Sequence, residues 1–162
     1  MRAKKWCAGA AALCVCLVLG DSAPAAVRQA SGPYKPESEK DTPAAITATV
    51  RRYAQSWYEG NTEAMQQTLH PDFSWHLVSV SASKPSSIAQ RSGLGQLDVT
   101  DRGLGRGVVP SARKADVTVL AVDRNLASVR LLLTDRTELL HLTRWNNRWL
   151  VIDALSEAGA AP

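Results

Sequence analysis

Histidine is the residue type in this chain best suited to acid-base chemistry. The sequence contains three histidines, His70, His76 and His141. His76 lies in the strand-like stretch 73–78, and a histidine can act as a general base near neutral pH. With Tyr53 or Asp153 to polarise a substrate, it gives one hypothesis for the chain, a small enzyme that uses His76 as its base.

Aromatic side chains support a different hypothesis, a binding pocket. The candidate lining residues are Tyr53, Trp57, Trp75 and Trp149, which would suit a flat apolar ligand. Ordinary core packing would explain these residues equally well. Glu138, Arg144 and Asp153 share a face of neighbouring predicted strands, either as a buried acid-base set or as an ion pair at the rim. We favour the rim, where Glu138 and Arg144 become candidate ligand-binding residues.

Metals, cofactors and nucleic acids are not indicated. The histidines lie on different predicted elements, and no His-x-x-x-His or carboxylate spacing accompanies them. The glycine-rich stretches lack the preceding strand and following lysine of a phosphate loop. The 19 basic and 15 acidic residues are scattered, with no arginine stripe interleaved with aromatic residues. We therefore predict no metal, no cofactor and no nucleic-acid partner.

Residues 1–25 have the pattern of a cleaved export signal. Arg2, Lys4 and Lys5 precede an apolar run at 6–19, and the small-residue stretch 22–26 follows it. The run is shorter than the roughly twenty apolar residues of a membrane-spanning helix. All three cysteines lie within it, so the mature domain is expected to contain no disulfide. We expect a periplasmic or secreted protein with no membrane attachment after cleavage, beginning with a disordered linker at 26–41.

The folded domain is predicted over residues 42–157, with a disordered tail at 158–162. Its first helix carries apolar residues at helical spacing, namely Ile46, Val50, Tyr53 and Trp57. Gly60 ends this helix, and Asn61 or Thr62 begins a shorter one. Residues 81–115 lack a clear period, apart from one short helix expected near 97–104, and the role of residues 79–115 stays open.

Strand patterns dominate the rest of the chain. Residues 73–78 alternate in polarity, and β-rich runs follow at 117–122, 126–133, 138–144 and 149–155. Two helices followed by an antiparallel meander predict an α+β domain. A two-residue turn at Asn146 and Asn147 pairs Trp145 with Arg148. This register predicts one face with Glu138, Leu140, Leu142, Arg144, Trp149, Val151 and Asp153, and the other with Leu139, His141, Thr143, Trp145, Leu150 and Ile152.

Two groups of motifs resemble the nuclear transport factor 2-like (SnoaL-like) superfamily, in particular its lumazine-binding branch. The first is Tyr53, Trp57-Tyr58-Glu59-Gly60-Asn61, Met65 and Leu69-His70-Pro71-Asp72-Phe73. The second comprises residues 119–123, 125–129, 139–142 and 147–152, at the places of that branch's last four strands. The resemblance covers roughly residues 44–156. Residues 79–115 depart from the pattern, and the first strand lacks the carboxylate base of isomerase-like relatives, with His76 close to its position.

The resemblance implies a cone, which is a strongly curved antiparallel sheet wrapped over helices with a pocket inside. It also implies dimers through the outer face of the sheet, and the apolar outer face of the predicted hairpin independently favours a homodimer. Our leading hypothesis is an exported module that binds a small apolar or aromatic molecule in the cone without catalysis. The alternative is a small enzyme of the isomerase, dehydratase or cyclase type with His76 as its base, and a protein-interaction scaffold is a second alternative.

Overall fold

The computed structural model describes residues 42–80 and 83–158. The predicted export signal and linker lie outside these residues, and so does the predicted tail beyond Ala158. Within the described part, no helix is both long and apolar enough to cross a membrane.

Helices come first in the domain and strands dominate its second half, which confirms the predicted α+β class. The helices are α1 (Thr42–Glu59), α2 (Thr62–Gln66) and α3 (Gly93–Asp101), with 3-10 helices at Leu104–Gly107 and Pro110–Ala112. The strands are β1 (Leu69–Ser79), β2 (Ser87–Ser92), β3 (Ala115–Asp123), β4 (Leu126–Leu133), β5 (Arg136–Trp145) and β6 (Arg148–Ala158).

Helix α1 forms where the helical period predicted it and packs its apolar stripe on the sheet. The stripe residues Ile46, Val50, Tyr53 and Trp57 are all buried. Gly60 ends the helix with a left-handed φ of 62°, a conformation that favours glycine. Arg106 donates to the carbonyl oxygens of Glu59 and Gly60 at 3.0 and 3.2 Å, so it satisfies acceptors at the helix end. The side chain of Asn61 then caps α2 by accepting from the Ala64 amide at 2.9 Å.

The six strands form one sheet in the order β2-β1-β6-β5-β4-β3. All neighbouring pairs are antiparallel except β1 and β6, which run parallel. The sheet is therefore mixed, whereas the sequence predicted a wholly antiparallel one. Strands β1 and β6 are separated by most of the domain, and no short turn forces them to run in opposite directions.

The turn between β5 and β6 has the predicted geometry. Asn146 and Asn147 have φ values of 49° and 60°, as a two-residue type I′ turn requires. Trp145 pairs with Arg148, and the predicted register continues outward as far as Leu142 opposite Val151.

A register shift between β5 and β6 follows that point. His141 pairs with Asp153, so Ile152 is an extra residue on β6. Directly paired residues lie on the same face of a sheet, and Asp153 is therefore on the face of His141. The predicted placement of Asp153 with Glu138 is wrong, because a bulge reverses the alternation of every residue beyond it.

The inner face of the sheet holds the core, and the outer face carries exposed apolar side chains. Leu140, Leu142 and Val151 on the inner face are buried, as predicted. On the outer face, Leu139 is 42% exposed and so is its cross-strand partner Leu155. Leu150, predicted for this free face, is buried by the chain itself.

The described residues between β1 and β3, which lack a clear period in the sequence, form the edge strand β2, helix α3 and the two 3-10 helices. Strand β2 pairs with β1, and the side chain of Ser92 caps α3 by accepting from the Gly95 amide at 3.3 Å. The observed helix begins four residues before the predicted start near residue 97. It buries Gln96 and Val99, so this segment covers one side of the interior.

Gly105 lets the first 3-10 helix lie directly against α1. A Cβ atom built on Gly105 would overlap the carbonyl oxygen of Trp57 and lie 2.7 Å from its Nε1. A Cβ on Gly107 would meet nothing within 4 Å.

We expect Gly105→Ala to lower the free energy of unfolding by about 1–3 kcal/mol, as overpacking does. In urea titrations, Gly107→Ala is the matched control and should stay within about 0.5 kcal/mol of wild type. Equal effects of the two substitutions would contradict this packing.

Candidate functional site

Glu138 is a carboxylate in the middle of the sheet's inner face. Its side chain is fully buried. Oε1 accepts hydrogen bonds from Arg136 Nε at 2.7 Å, Ser156 Oγ at 3.2 Å and Trp75 Nε1 at 3.3 Å. Oε2 has no hydrogen-bond partner among the described residues. Burial costs a carboxylate several kcal/mol unless it is paired, and one of its two oxygens remains available.

Arg136 is the charge partner of Glu138, two positions earlier on the same face of β5. Only 8% of its side chain is exposed, and its Nη1 also donates to the carboxylate of Asp135 at 2.9 Å. Its guanidinium lies over the ring of Trp57, 4.6 Å from the ring centroid. Burial is the largest influence and would lower the pKa of Arg136, but the interactions with Glu138, Tyr53 and Asp135 together outweigh burial and raise it. Arg136 therefore stays charged, and Trp57 is held against a cation.

Tyr53 places a phenol beside this ion pair from the middle of α1. The residue is fully buried, and its hydroxyl has no hydrogen-bond partner among the described residues. Burial and then the nearby negative charge of Glu138 raise the pKa of Tyr53 well above its ordinary value. The phenol therefore keeps its proton across the physiological range, and its hydroxyl lies near the Glu138 carboxylate without a hydrogen bond of good geometry.

Arg91 and Gln96 complete the group from β2 and α3. The guanidinium of Arg91 lies 4.1 Å from the ring centroid of Trp75, and its Nη1 donates to Gln96 Oε1 at 2.9 Å. Partial burial lowers the pKa of Arg91, chiefly by desolvation. The amide nitrogen of Gln96 is buried and lacks a partner among the described residues. Arg91 is the half-exposed member of a group that is otherwise buried.

The sequence identified part of this interior site. Tyr53, Trp57, Trp75 and Glu138, all predicted as ligand-binding residues, lie together in it. Because Glu138 is fully buried, its predicted place at the rim is wrong.

Two predicted ligand-binding residues lie elsewhere. Trp149 and Arg144 pair with each other at the turn end of the β5–β6 hairpin. The ion-pair partner of Glu138 is therefore Arg136, two positions away along β5, and not Arg144.

The catalytic candidates are divided between the two faces of the sheet. Trp75 points inward to Glu138, so the neighbouring His76 is on the outer face. There His76 Nδ1 lies 3.4 Å from Asp153 Oδ1, and His141 Nδ1 lies 3.4 Å from Asp153 Oδ2. Tyr53 is on the inner side. The structure thus brings His76 and Asp153 together but separates both from Tyr53.

Sequence reasoning missed Arg136, Arg91, Gln96 and Ser156. Arg136 could have been predicted from the sequence. Residues two apart on a strand share a face, and a buried acid on that face needs a positively charged partner. Ser156 was hidden by the bulge at Ile152, which shifts its register. Arg91 and Gln96 lie in the segment without periodicity and had no such signal.

Comparison with known proteins supports the fold. No protein-family model matches the chain, and no curated protein matches it. Among solved structures, a nuclear transport factor 2-like protein of unknown function from Shewanella baltica superposes with a TM-score of 0.60 at 14% identity, covering 78% of this chain and 100% of that one. A similar protein from Silicibacter pomeroyi gives a TM-score of 0.57 at 11% identity, covering 76% and 100%.

A third solved structure carries the other common name of this architecture. It is a cystatin-like fold protein from Burkholderia xenovorans, with a TM-score of 0.57 at 18% identity over 76% of this chain and 96% of that one. Likeness at such low identity establishes architecture and not activity. The chain therefore has the nuclear transport factor 2-like fold, with a six-stranded sheet packed against N-terminal helices.

Proposed function

We propose that this domain is an exported module that binds a small, partly apolar molecule inside the cone, between α1, α3 and the inner face of the sheet. One observation carries the proposal. Three buried polar atoms of the interior site, Tyr53 Oη, Gln96 Nε2 and Glu138 Oε2, have no partner among the described residues. Buried polar groups in folded proteins are nearly always hydrogen-bonded, so these atoms call for partners other than protein side chains, and we propose that a bound molecule supplies them.

The three atoms specify complementary chemistry. Tyr53 and Gln96 each offer a donor, and Glu138 offers an acceptor. A ligand that satisfies them carries an acceptor group, such as a carbonyl, and a donor group, such as N–H or O–H. Trp57 and Trp75 supply apolar ring surface beside these groups. An aromatic ring bearing both kinds of polar group fits this set.

The proposed route into the interior passes Arg91. It is the half-exposed member of the site, and it covers the ring of Trp75 at the edge formed by β2 and α3. A flat ligand could take the place of the guanidinium on the indole ring. The Glu138–Arg136 pair would remain in place beneath it, because both residues are deeply buried.

A binding role is favoured over the enzyme based on His76. That mechanism required Tyr53 or Asp153 to polarise the substrate while His76 removed a proton. Tyr53 lies across the sheet from His76, and Asp153 lies next to two histidines on the outer face. A substrate inside the cone would be out of reach of His76.

We expect Tyr53→Phe to leave stability nearly unchanged and to weaken ligand binding. The lost hydroxyl has no partner in the free protein, so its removal should change the free energy of unfolding by less than about 0.5 kcal/mol. A thermal-shift screen of aromatic amides, phenols and their hydrocarbon counterparts identifies ligands, and titration calorimetry compares the variants. The dissociation constant for a polar hit should rise about threefold to tenfold in Tyr53→Phe.

Tyr58→Phe is the matched control. Tyr58 Oη donates to the Lys114 carbonyl oxygen at 2.8 Å and accepts from the Thr134 amide at 3.0 Å. Its loss should cost about 1–3 kcal/mol of stability while leaving ligand affinity unchanged. The proposal fails if no compound stabilises the protein and Tyr53→Phe is as destabilising as Tyr58→Phe.

We also propose that the domain forms a homodimer through the outer face of the sheet. Support comes from a shallow groove of about 370 Å³ on this face, lined by Val78, Leu139 and Leu155 among others. Leu139 and Leu155 are directly opposed across β5 and β6 and half exposed. A contiguous apolar patch on an uncovered sheet face is typical of a protein interface.

Leu139→Lys should convert such a dimer to monomers. A lysine at the centre of the interface would be desolvated without a partner, and a specific interface buries on the order of 1,600 Å² in total. Sedimentation velocity at micromolar concentration measures the change. Leu94→Lys is the control, since Leu94 is 81% exposed on α3. Wild-type protein that sediments as a monomer would refute the homodimer.

A further inference from the structure

A cavity of about 260 Å³ lies outside the interior site. It is bounded by the first half of α1, by the connection from α2 to β1, and by the β5–β6 turn. Ala45, Ala48, Thr49 and Arg52 line it at the spacing of one helical face. The two alanines are small and leave space between the helix and the turn. None of the residues that form the interior site lines this cavity.

The charge of this cavity is entirely positive among the described residues. Arg52 and Arg148 both line it, and no lining residue is acidic. Within residues 42–80 and 83–158, no carboxylate lies within 4 Å of either guanidinium. Two cations that share a small concave site without a counter-charge raise the local potential and attract anions.

The remaining polar walls are rich in hydrogen-bond donors. Arg148 Nη2 donates to the Gln67 carbonyl oxygen at 2.7 Å, which fixes one edge of this guanidinium. Asn147 and Gln67 contribute side-chain amides to the lining. Trp149 lines the same cavity, and its buried Nε1 has no partner among the described residues.

The Thr49 hydroxyl donates to the Trp149 carbonyl oxygen at 3.2 Å, so helix and strand are held together at the base of the cavity. This bond holds the backbone segments that carry the two exposed arginines, Arg52 on α1 and Arg148 on β6, against each other.

We propose that this cavity binds the anionic group of a small molecule, a carboxylate or a phosphate. Guanidinium groups recognise both by paired N–H···O bonds, and amide donors would complete the coordination. The volume is below the range of pockets for drug-sized ligands, so the cavity suits a compact anion or the charged end of a longer molecule. The proposal is independent of the interior site, with which it shares no residue.

Titration calorimetry of the purified protein at low ionic strength tests the proposal with inorganic phosphate, pyrophosphate and citrate as probes. We expect saturable binding of at least one probe, weakened by added sodium chloride because exposed charges are screened. Arg52→Gln should weaken that binding at least about tenfold, the loss expected for a charge-assisted hydrogen bond. Binding of only the phosphates identifies a phosphate site, and binding of only citrate identifies a carboxylate site.

Two further variants separate a built site from general attraction to positive charge. Arg51→Gln removes the same charge one position earlier; the Arg51 side chain is exposed like that of Arg52 but does not line the cavity. It should change affinity less than twofold. Ala48→Met fills the cavity without changing charge and should abolish binding. The proposal is overturned if none of the three anions binds, or if Arg51→Gln weakens binding as much as Arg52→Gln.

Discussion

The buried carboxylate of Glu138 is the constraint on which the interior of this domain depends. A charge with no exposure to water must be compensated where it lies, and three donors converge on its Oε1. They come from three neighbouring strands, with Trp75 on β1, Arg136 on β5 and Ser156 on β6. The Glu138 carboxylate therefore links three strands at the centre of the sheet. Two of them, β1 and β6, form the parallel pair that distinguishes this sheet from a simple meander.

The bulge at Ile152 provides one of these donors. If the register of the hairpin continued unchanged, Leu155 would face Glu138. The extra residue instead places Ser156 opposite Glu138 and supplies a hydroxyl donor to a carboxylate that needs one. It also moves Asp153 to the outer face, beside His76 and His141, and so keeps a second acid out of the interior. The extra residue thus leaves Glu138 on the inner face and places Asp153 with His76 and His141 on the outer face.

Sequence periodicity predicted most of the fold and about half of the interior site. The stripe on α1 and the alternation of β5 specified Tyr53, Trp57 and the inner face of β5 correctly, because burial imposes those periods. Three physical features were hidden from this reasoning. A bulge changes faces without any local signal, long-range parallel pairing leaves no mark on either strand, and a fully buried acid is rare enough that Glu138 was placed at the rim.

Urea unfolding of three proteins tests the central role of Glu138 most directly: wild type, Glu138→Met and the double variant Glu138→Met/Arg136→Met. Removing the acid alone strands the Arg136 charge in the interior and should cost about 3–5 kcal/mol of unfolding free energy. Removing both charges with side chains of similar volume should restore most of that loss. A single variant as stable as wild type, or a double variant less stable than the single, would contradict the account.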